Sequence, residues 1–220
     1  MKKQVNVSLP FMVMGVLFCV CLIAANLFES KQISLGPLEI TAGLIVFPIS
    51  YIINDCLVEV WGFSKTRIVI WLGFAMNFFF VSMGALADWL PGAPYWTGEE
   101  GFHTVFGVAP RIAVASFLAF LVGSFINAYV MDYMKTHTKE GKGFSARAIL
   151  STVAGETADS ILFFPLALGG VVPWDALWQI MLWQVFLKTG YEVIALPITI
   201  QVVNYAKRFA DSTDVEFIPE

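Results

Sequence analysis

The sequence predicts an all-α, polytopic membrane protein: six transmembrane helices forming one integral membrane domain over residues 1–220, with both termini in the cytoplasm. Three observations predict it. Hydrophobic residues make up 58% of the chain and charged residues 14%, where a soluble domain carries about a quarter charged. Mean hydropathy is +0.74, and the apolar residues gather into runs of the length a helix needs to cross a bilayer, about 20 residues. The basic residues are also one-sided. Of the 13 Lys and Arg residues, only Lys31 and Arg111 fall on the far side and Lys188 falls inside an apolar run. The others lie on the N-terminal side, which the positive-inside rule makes cytoplasmic.

The first expected helix is Leu9 to Phe28. Its basic start and apolar run are like those of a signal peptide, but the run is long enough to span and more apolar helices follow, so it is read as a retained span. A short loop turns at Gly36-Pro37, and the second helix is expected from Leu38 to Trp61, stopped by Gly62. The third, Ile68 to Ala87, is uncharged. The loop after it is the longest, broken by Pro and Gly. Its Trp89, Tyr95 and Trp96 suit a membrane–water interface, and Phe102 to Phe106 suit a short interfacial turn. His103 reads as an exposed loop residue.

The fourth helix, Arg111 to Tyr133, repeats small residues at Ala115, Ala119 and Gly123, which lets helix backbones approach closely. The loop after it, KTHTKEGKGFSAR, is the most basic. The fifth, AILSTVAGETADSILFFPLALG (Ala148 to Gly169), carries Glu156 and Asp159 in its middle. The sixth, Ala176 to Tyr205, contains Gln184, Lys188 and Glu192, with a kink expected at Pro197. Each three-helix half has a carboxylate pair in its middle helix, Asp55/Glu59 and Glu156/Asp159. An odd number of spans per half suggests a 3+3 inverted repeat.

The charged residues inside apolar runs demand a reason. A carboxylate at a helix centre costs about 2.5 to 3.5 kcal/mol on insertion scales, so such groups face the interior, pair, or bind a ligand. Asp55 and Glu59, four apart, share a helix face, as do Glu156 and Asp159, three apart. Glu59 lies close enough to the cytoplasmic end to reach water. Several carboxylates against one intramembrane ammonium suit a ligand rich in N–H donors or positively charged. A guanine-like base offers such donors through N1–H and its 2-amino group. Phe163, Phe164, Trp183, Phe186 and Tyr191 supply aromatic faces nearby. The alternative is a buried clamp in which Lys188 neutralises one carboxylate and ties helices five and six together.

Other classes fare worse. A net charge of −4 without a basic cluster argues against nucleic-acid binding. Cys19, Cys21 and Cys56 sit in apolar runs as small packing residues, and no hydrolase, P-loop or metal-ligand motif occurs. No enzyme activity, cofactor or metal is expected.

The segments NDCLVEVWGFSKTR, RIAVASFLAFLVGSFIN, SARAILSTVAGETADSILFF and WQVFLKTGYEVIALP, in this order, resemble the queuosine precursor transporter family of six-helix membrane proteins. The resemblance implies uptake of 7-cyano-7-deazaguanine or 7-aminomethyl-7-deazaguanine across the cytoplasmic (inner) membrane, without the usual ATPase. It implicates Asp55, Glu59, Arg111, Ser116, Glu156, Asp159 and Lys188 in substrate binding, and Asn127, which stands where some members carry an acid. Glu156 stands where some carry Asn. The expected partners are that small molecule and the lipid bilayer, with a homo-oligomer left open. Another vitamin-like or purine-like solute, or a non-transporting membrane scaffold, remains the alternative.

Overall fold

The computed structural model describes residues 8–36, 38–137 and 144–210. The protein is helical apart from one small hairpin: α1 (Leu9–Phe28), β1 (Gln32–Leu35), β2 (Leu38–Thr41), α2 (Phe47–Trp61), α3 (Phe63–Trp89), α4 (Glu99–Phe106), α5 (Ala109–His137), α6 (Phe144–Leu168) and α7 (Trp174–Ala210). Lys2, Lys3, Lys139 and Lys142, which entered the charge argument, lie outside the described residues.

The largest departure from expectation is at the start of the second helix. Residues 32–41 pair as an antiparallel hairpin, Gln32 opposite Thr41 and Leu35 opposite Leu38. The pattern QISL–LEIT alternates with a period of two, and Gly36 takes the positive φ (64°) that a tight turn requires. A short 3₁₀ turn, Ala42–Ile45, follows, so α2 starts at Phe47 and has 15 residues. At about 1.5 Å per residue it is shorter than a hydrocarbon core of about 30 Å. The helices after it are longer than expected. α3 absorbs FSKTR because Gly62 alone makes the break, at φ 81° and ψ 159°, a conformation that is essentially glycine's. The long loop contains α4, whose Phe102 and Phe106 rings stack at 4.4 Å. Phe106 rests against Gly84 of α3. α7 bends by 52° between Ala195 and Pro197, where proline removes a backbone donor.

Packing fixes the helix directions. Gly15 of α1 meets Val69 of α3, and Gly73 meets Phe18 and Leu22, so α1 and α3 run parallel. Phe74 of α3 meets Phe120 of α5, and Phe78 meets Phe117, an antiparallel pair. α5 and α6 are antiparallel as well, with Gly123 facing Gly155 and Asp159. Leu57, Phe18, Leu22 and Phe74 centre one apolar cluster shared by α1, α2 and α3. Ile112, Ala119, Phe164, Ala167, Leu177 and Ile180 centre another, shared by α5, α6 and α7.

Among the described residues, three helical stretches are long and apolar enough to cross a membrane: Leu9–Phe28, Ser64–Trp89 and Glu99–Asn127. The bent α7 makes a fourth if its two parts count as one span. Of the other two expected spans, α2 is short and α6 carries Glu156 and Asp159 at mid-helix. The protein is thus a polytopic helical membrane protein.

The Gly62 break is testable. A Cβ there meets nothing within 4 Å, so Gly62→Ala is expected to act only through backbone strain. That strain should cost about 1–3 kcal/mol, read as a lower Tm of the purified protein.

Candidate functional site

The charges that interrupt the apolar runs of α6 and α7 meet in a buried polar seam. Glu156 and Asp159 share a face of α6. Lys188 of α7 places Nζ 3.4 Å from Glu156 Oε2 and 3.4 Å from Asp159 Oδ2. It also lies 3.9 Å from the ring centroid of Phe47, at the start of α2. Such cation–π contact is strongest when desolvated, and the side chains of Lys188 and Glu156 are each only 8% exposed.

The position of α6 is set by glycine. A Cβ on Gly155 would come within 2.8 Å of Asn127 Cβ and 2.9 Å of the Gly123 carbonyl oxygen. One on Gly123 would come within 3.1 Å of Asp159 Cβ. The small residues of α5 thus bring its backbone against α6 beside the two carboxylates.

The other wall comes from the first half of the chain. Glu29, at the C-terminal end of α1, is 6% exposed, and Thr41 and Gln184 are wholly buried. Gln184 Nε2 donates to Thr41 Oγ1 at 2.5 Å. Glu29 Oε2 is buried and has no hydrogen-bond partner among the described residues. Gly43 makes room for it, since a side chain there would collide with Glu29 Oε1 and the Ala25 carbonyl. The hairpin therefore carries Thr41 into contact with α7. Two carboxylates, Glu156 and Asp159, flank one ammonium.

Of the residues singled out in the sequence, Glu156, Asp159 and Lys188 come together, and Asn127 stands beside Gly155. The others do not join them. Arg111, at the start of α5, donates from Nε to the Leu166 carbonyl (2.5 Å) and from Nη2 to the Gly169 carbonyl (2.6 Å), capping the free carbonyls at the end of α6. Glu59 is exposed and pairs with Lys207 at 2.6 Å. Asp55 is also exposed, and Ser116 is half-buried on α5 toward the Arg111 end. The Glu192 side chain lies outside what is described. His103, expected in a loop, lies on α4, with its Nδ1 2.7 Å from Asp88 Oδ2 of α3.

Sequence reasoning missed Glu29, Thr41 and Phe47, and noted Gln184 without assigning it a role. Their signal was weak: Glu29 follows an apolar run as a loop acid would, and LEIT read as helix. A groove of about 830 Å³ between α6 and α7 is lined mostly by apolar side chains such as Trp178, Leu182, Phe186 and Ile194. It suits lipid rather than a polar solute.

The apolar helices and their buried charges define a polytopic membrane protein. Residues 41–202 match the model of the family described as "Putative vitamin uptake transporter", and the chain belongs to that family. Its family is one of transporters, not of enzymes. The "Probable queuosine precursor transporter" of Bacillus subtilis (strain 168) is 27% identical over 177 residues, covering 80% of this chain and 76% of that protein. No solved structure matches significantly.

The Lys188 pairing predicts the result of deleting the ammonium. Lys188→Met leaves Glu156 and Asp159 without their cation, and breaking a buried pair costs about 3–5 kcal/mol. A sharply lowered Tm is expected, partly recovered in the double variant Lys188→Met/Glu156→Gln.

Proposed function

We propose that this protein imports a 7-deazaguanine precursor of queuosine across the cytoplasmic membrane, binding it at the Lys188 seam. The observation that carries the reading is an ammonium flanked by carboxylates, Lys188 between Glu156 and Asp159. A guanine-like edge runs acceptor, donor, donor: O6, N1–H and the 2-amino group. Lys188 supplies the donor for O6, and the two carboxylates supply acceptors for the N–H groups, with charge-assisted bonds on both sides. The name of the Bacillus subtilis relative supports this substrate class.

Six crossings with cytoplasmic termini belong to the same proposal. Support comes from the helix directions: α1 runs parallel to α3, α5 antiparallel to α3 and to α6, and Lys188 sits opposite Glu156 while Leu177 packs near Ala167, so α6 and α7 are antiparallel. Phe47 meets Lys188 and Glu59 meets Lys207, so α2 and α7 run parallel. An alternating six-span chain has these directions. In transporters built of 3+3 repeats the site lies where the halves meet.

Two measurements test the proposal. Single cysteines at Lys65 and Gly98, in a background lacking Cys19, Cys21 and Cys56, are expected to label from opposite faces of the membrane; labelling from one face refutes the topology. Cells unable to make the precursor are expected to take up labelled 7-deazaguanine compounds only when they carry this protein. Asp159→Asn replaces an acceptor by an amide that turns a donor toward the base, while a neutral amide is cheaper to bury. A folded variant with affinity lowered about 10- to 150-fold is expected. Wild-type uptake by that variant would reduce the cluster to a helix clamp.

A further inference from the structure

One buried acid plays no part in the Lys188 pairing. Glu29 follows the last turn of α1 and is 6% exposed, yet among the described residues its carboxylate joins no ion pair. Its Oε2 has no hydrogen-bond partner there either. The charges that act on it are Lys188 of α7 and Asp159 of α6, which oppose each other. Lys188 is already shared by Glu156 and Asp159 at 3.4 Å. Other charges around α1 stand off. Lys31 and Asp55 are exposed, and Glu39 is half-buried toward the hairpin turn. Glu59 pairs with Lys207, Asp88 with His103, and Arg111 caps α6. Lys65 and Arg67 lie beside the opposite end of α1, because α3 runs parallel to it. A buried carboxylate without a counter-ion is so costly that the group neutralises instead.

The surroundings select a proton for that task. Gln184 Oε1 is buried and also lacks a donor among the described residues, while its Nε2 is engaged by Thr41. Glu29 and Gln184 flank one short segment: Gly43 lies against Glu29 Oε1, and Thr41 against Gln184. A proton on Oε2 turns an unpaired acceptor into an O–H donor, and Gln184 Oε1 is an acceptor in want of one. One proton answers both. A metal ion would need a shell of several oxygens, whereas the Gly43 backbone closes on Oε1.

We propose that Glu29 is a proton-carrying site that couples transport to a proton gradient. Its carboxylate takes a proton from the outer side, donates it in a hydrogen bond to Gln184 Oε1, and later releases it to the cytoplasm. The O–H bond forms and breaks at Oε2, and nothing is oxidised or reduced. Without the proton, Glu29 and Gln184 Oε1 meet as two acceptors and repel; with it they bond. The proton therefore favours the arrangement in which α1 and α7 are apposed, as any ligand of one state does. Gln184 and Lys188 are four apart on α7 and share a helix face, so the helix that senses the proton also carries the ammonium. The proposal rests on the chain belonging to a transporter family and is independent of the solute bound at the Lys188 seam.

The test places purified full-length protein in liposomes held at zero membrane potential. The probe is labelled 7-cyano-7-deazaguanine, given with an acid-outside pH step. Wild-type protein is expected to accumulate it up to about tenfold per pH unit, the most that one proton can drive. Glu29→Gln imitates the protonated form permanently. It is expected to keep exchange of labelled for unlabelled probe while losing accumulation. Wild-type accumulation that ignores the pH step, or that follows a sodium gradient instead, overturns the proposal. So does a Glu29→Gln protein that still accumulates, or a folded one that loses exchange as well, which makes Glu29 a structural residue. Infrared spectra without solute supply a second readout. A protonated-carboxyl band is expected in wild-type protein at neutral pH, absent in Glu29→Gln and displaced in Gln184→Met, which removes the acceptor. A spectrum without that band overturns the site. Should Glu29→Gln fail to fold, the wild-type pH response and the Gln184→Met displacement decide. Failure of wild-type protein to exchange the probe refutes the purine reading instead, and the infrared band then decides the proton site alone.

Discussion

Keeping a charged ammonium inside an apolar bundle is the constraint on which this structure depends. Moving an ion of that size out of water carries a penalty of several kcal/mol even after relaxation. Lys188 offsets it from three directions: Glu156 and Asp159 on α6, and the Phe47 ring on α2. Each partner imposes a condition on the chain. The acids must reach α7, so α6 cannot sit far from it. Phe47 must lie against the ammonium, so α2 must begin deep in the protein rather than at its surface. The hairpin before α2 meets that last condition by using up residues that would otherwise lengthen the helix.

The apolar parts are organised around the same seam. In a bilayer, helices gain little from hiding apolar surface, because lipid is as apolar as leucine, and close packing takes over. Gly123 and Gly155 let α5 and α6 approach until backbone meets backbone. Arg111 then secures the far end of α6 by filling its free carbonyls. With α6 held along its length, the two carboxylates are presented at a defined height. The exposed Glu59–Lys207 pair is of another kind. It lies in solvent-accessible surroundings, where an ion pair is worth about 0–1 kcal/mol, so it marks where α2 and α7 end more than it holds them.

Much of this was legible in the sequence, and the legible parts share a physical cause. Long apolar runs gave α1, α3, α5, α6 and α7 because the bilayer imposes length and hydropathy directly. The carboxylates and Lys188 stood out because ionised groups in such runs are expensive. Pro197 marked the bend in α7. The hairpin was not legible, since LEIT continues into an apolar run and a strand of four residues cannot be told from helix by hydropathy. Glu29 was lost for a related reason: an acid just past a helix end is ordinarily solvated, and only the fold that returns Thr41 across it makes it buried. Arg111 drew attention for its charge, but its partners are backbone carbonyls, which no side-chain pattern reveals. Resemblance named it together with true members of the cluster because it tracks position along the chain and not distance in space.

The seam also explains how a bound solute could matter to the whole molecule. Apolar contacts join the halves where Val81 of α3 packs with Ala109 and Ala113 of α5, and at the seam Thr41 meets Gln184 and Phe47 meets Lys188, with Glu59 and Lys207 at the end. A ligand that bonds to residues of both halves adds free energy only when the two sides are apposed. Its affinity therefore differs between arrangements of the halves, which is the condition for any ligand to shift a conformational equilibrium. A site buried inside one half would lack that leverage, however tightly it bound. Transport around the proposed site needs this difference.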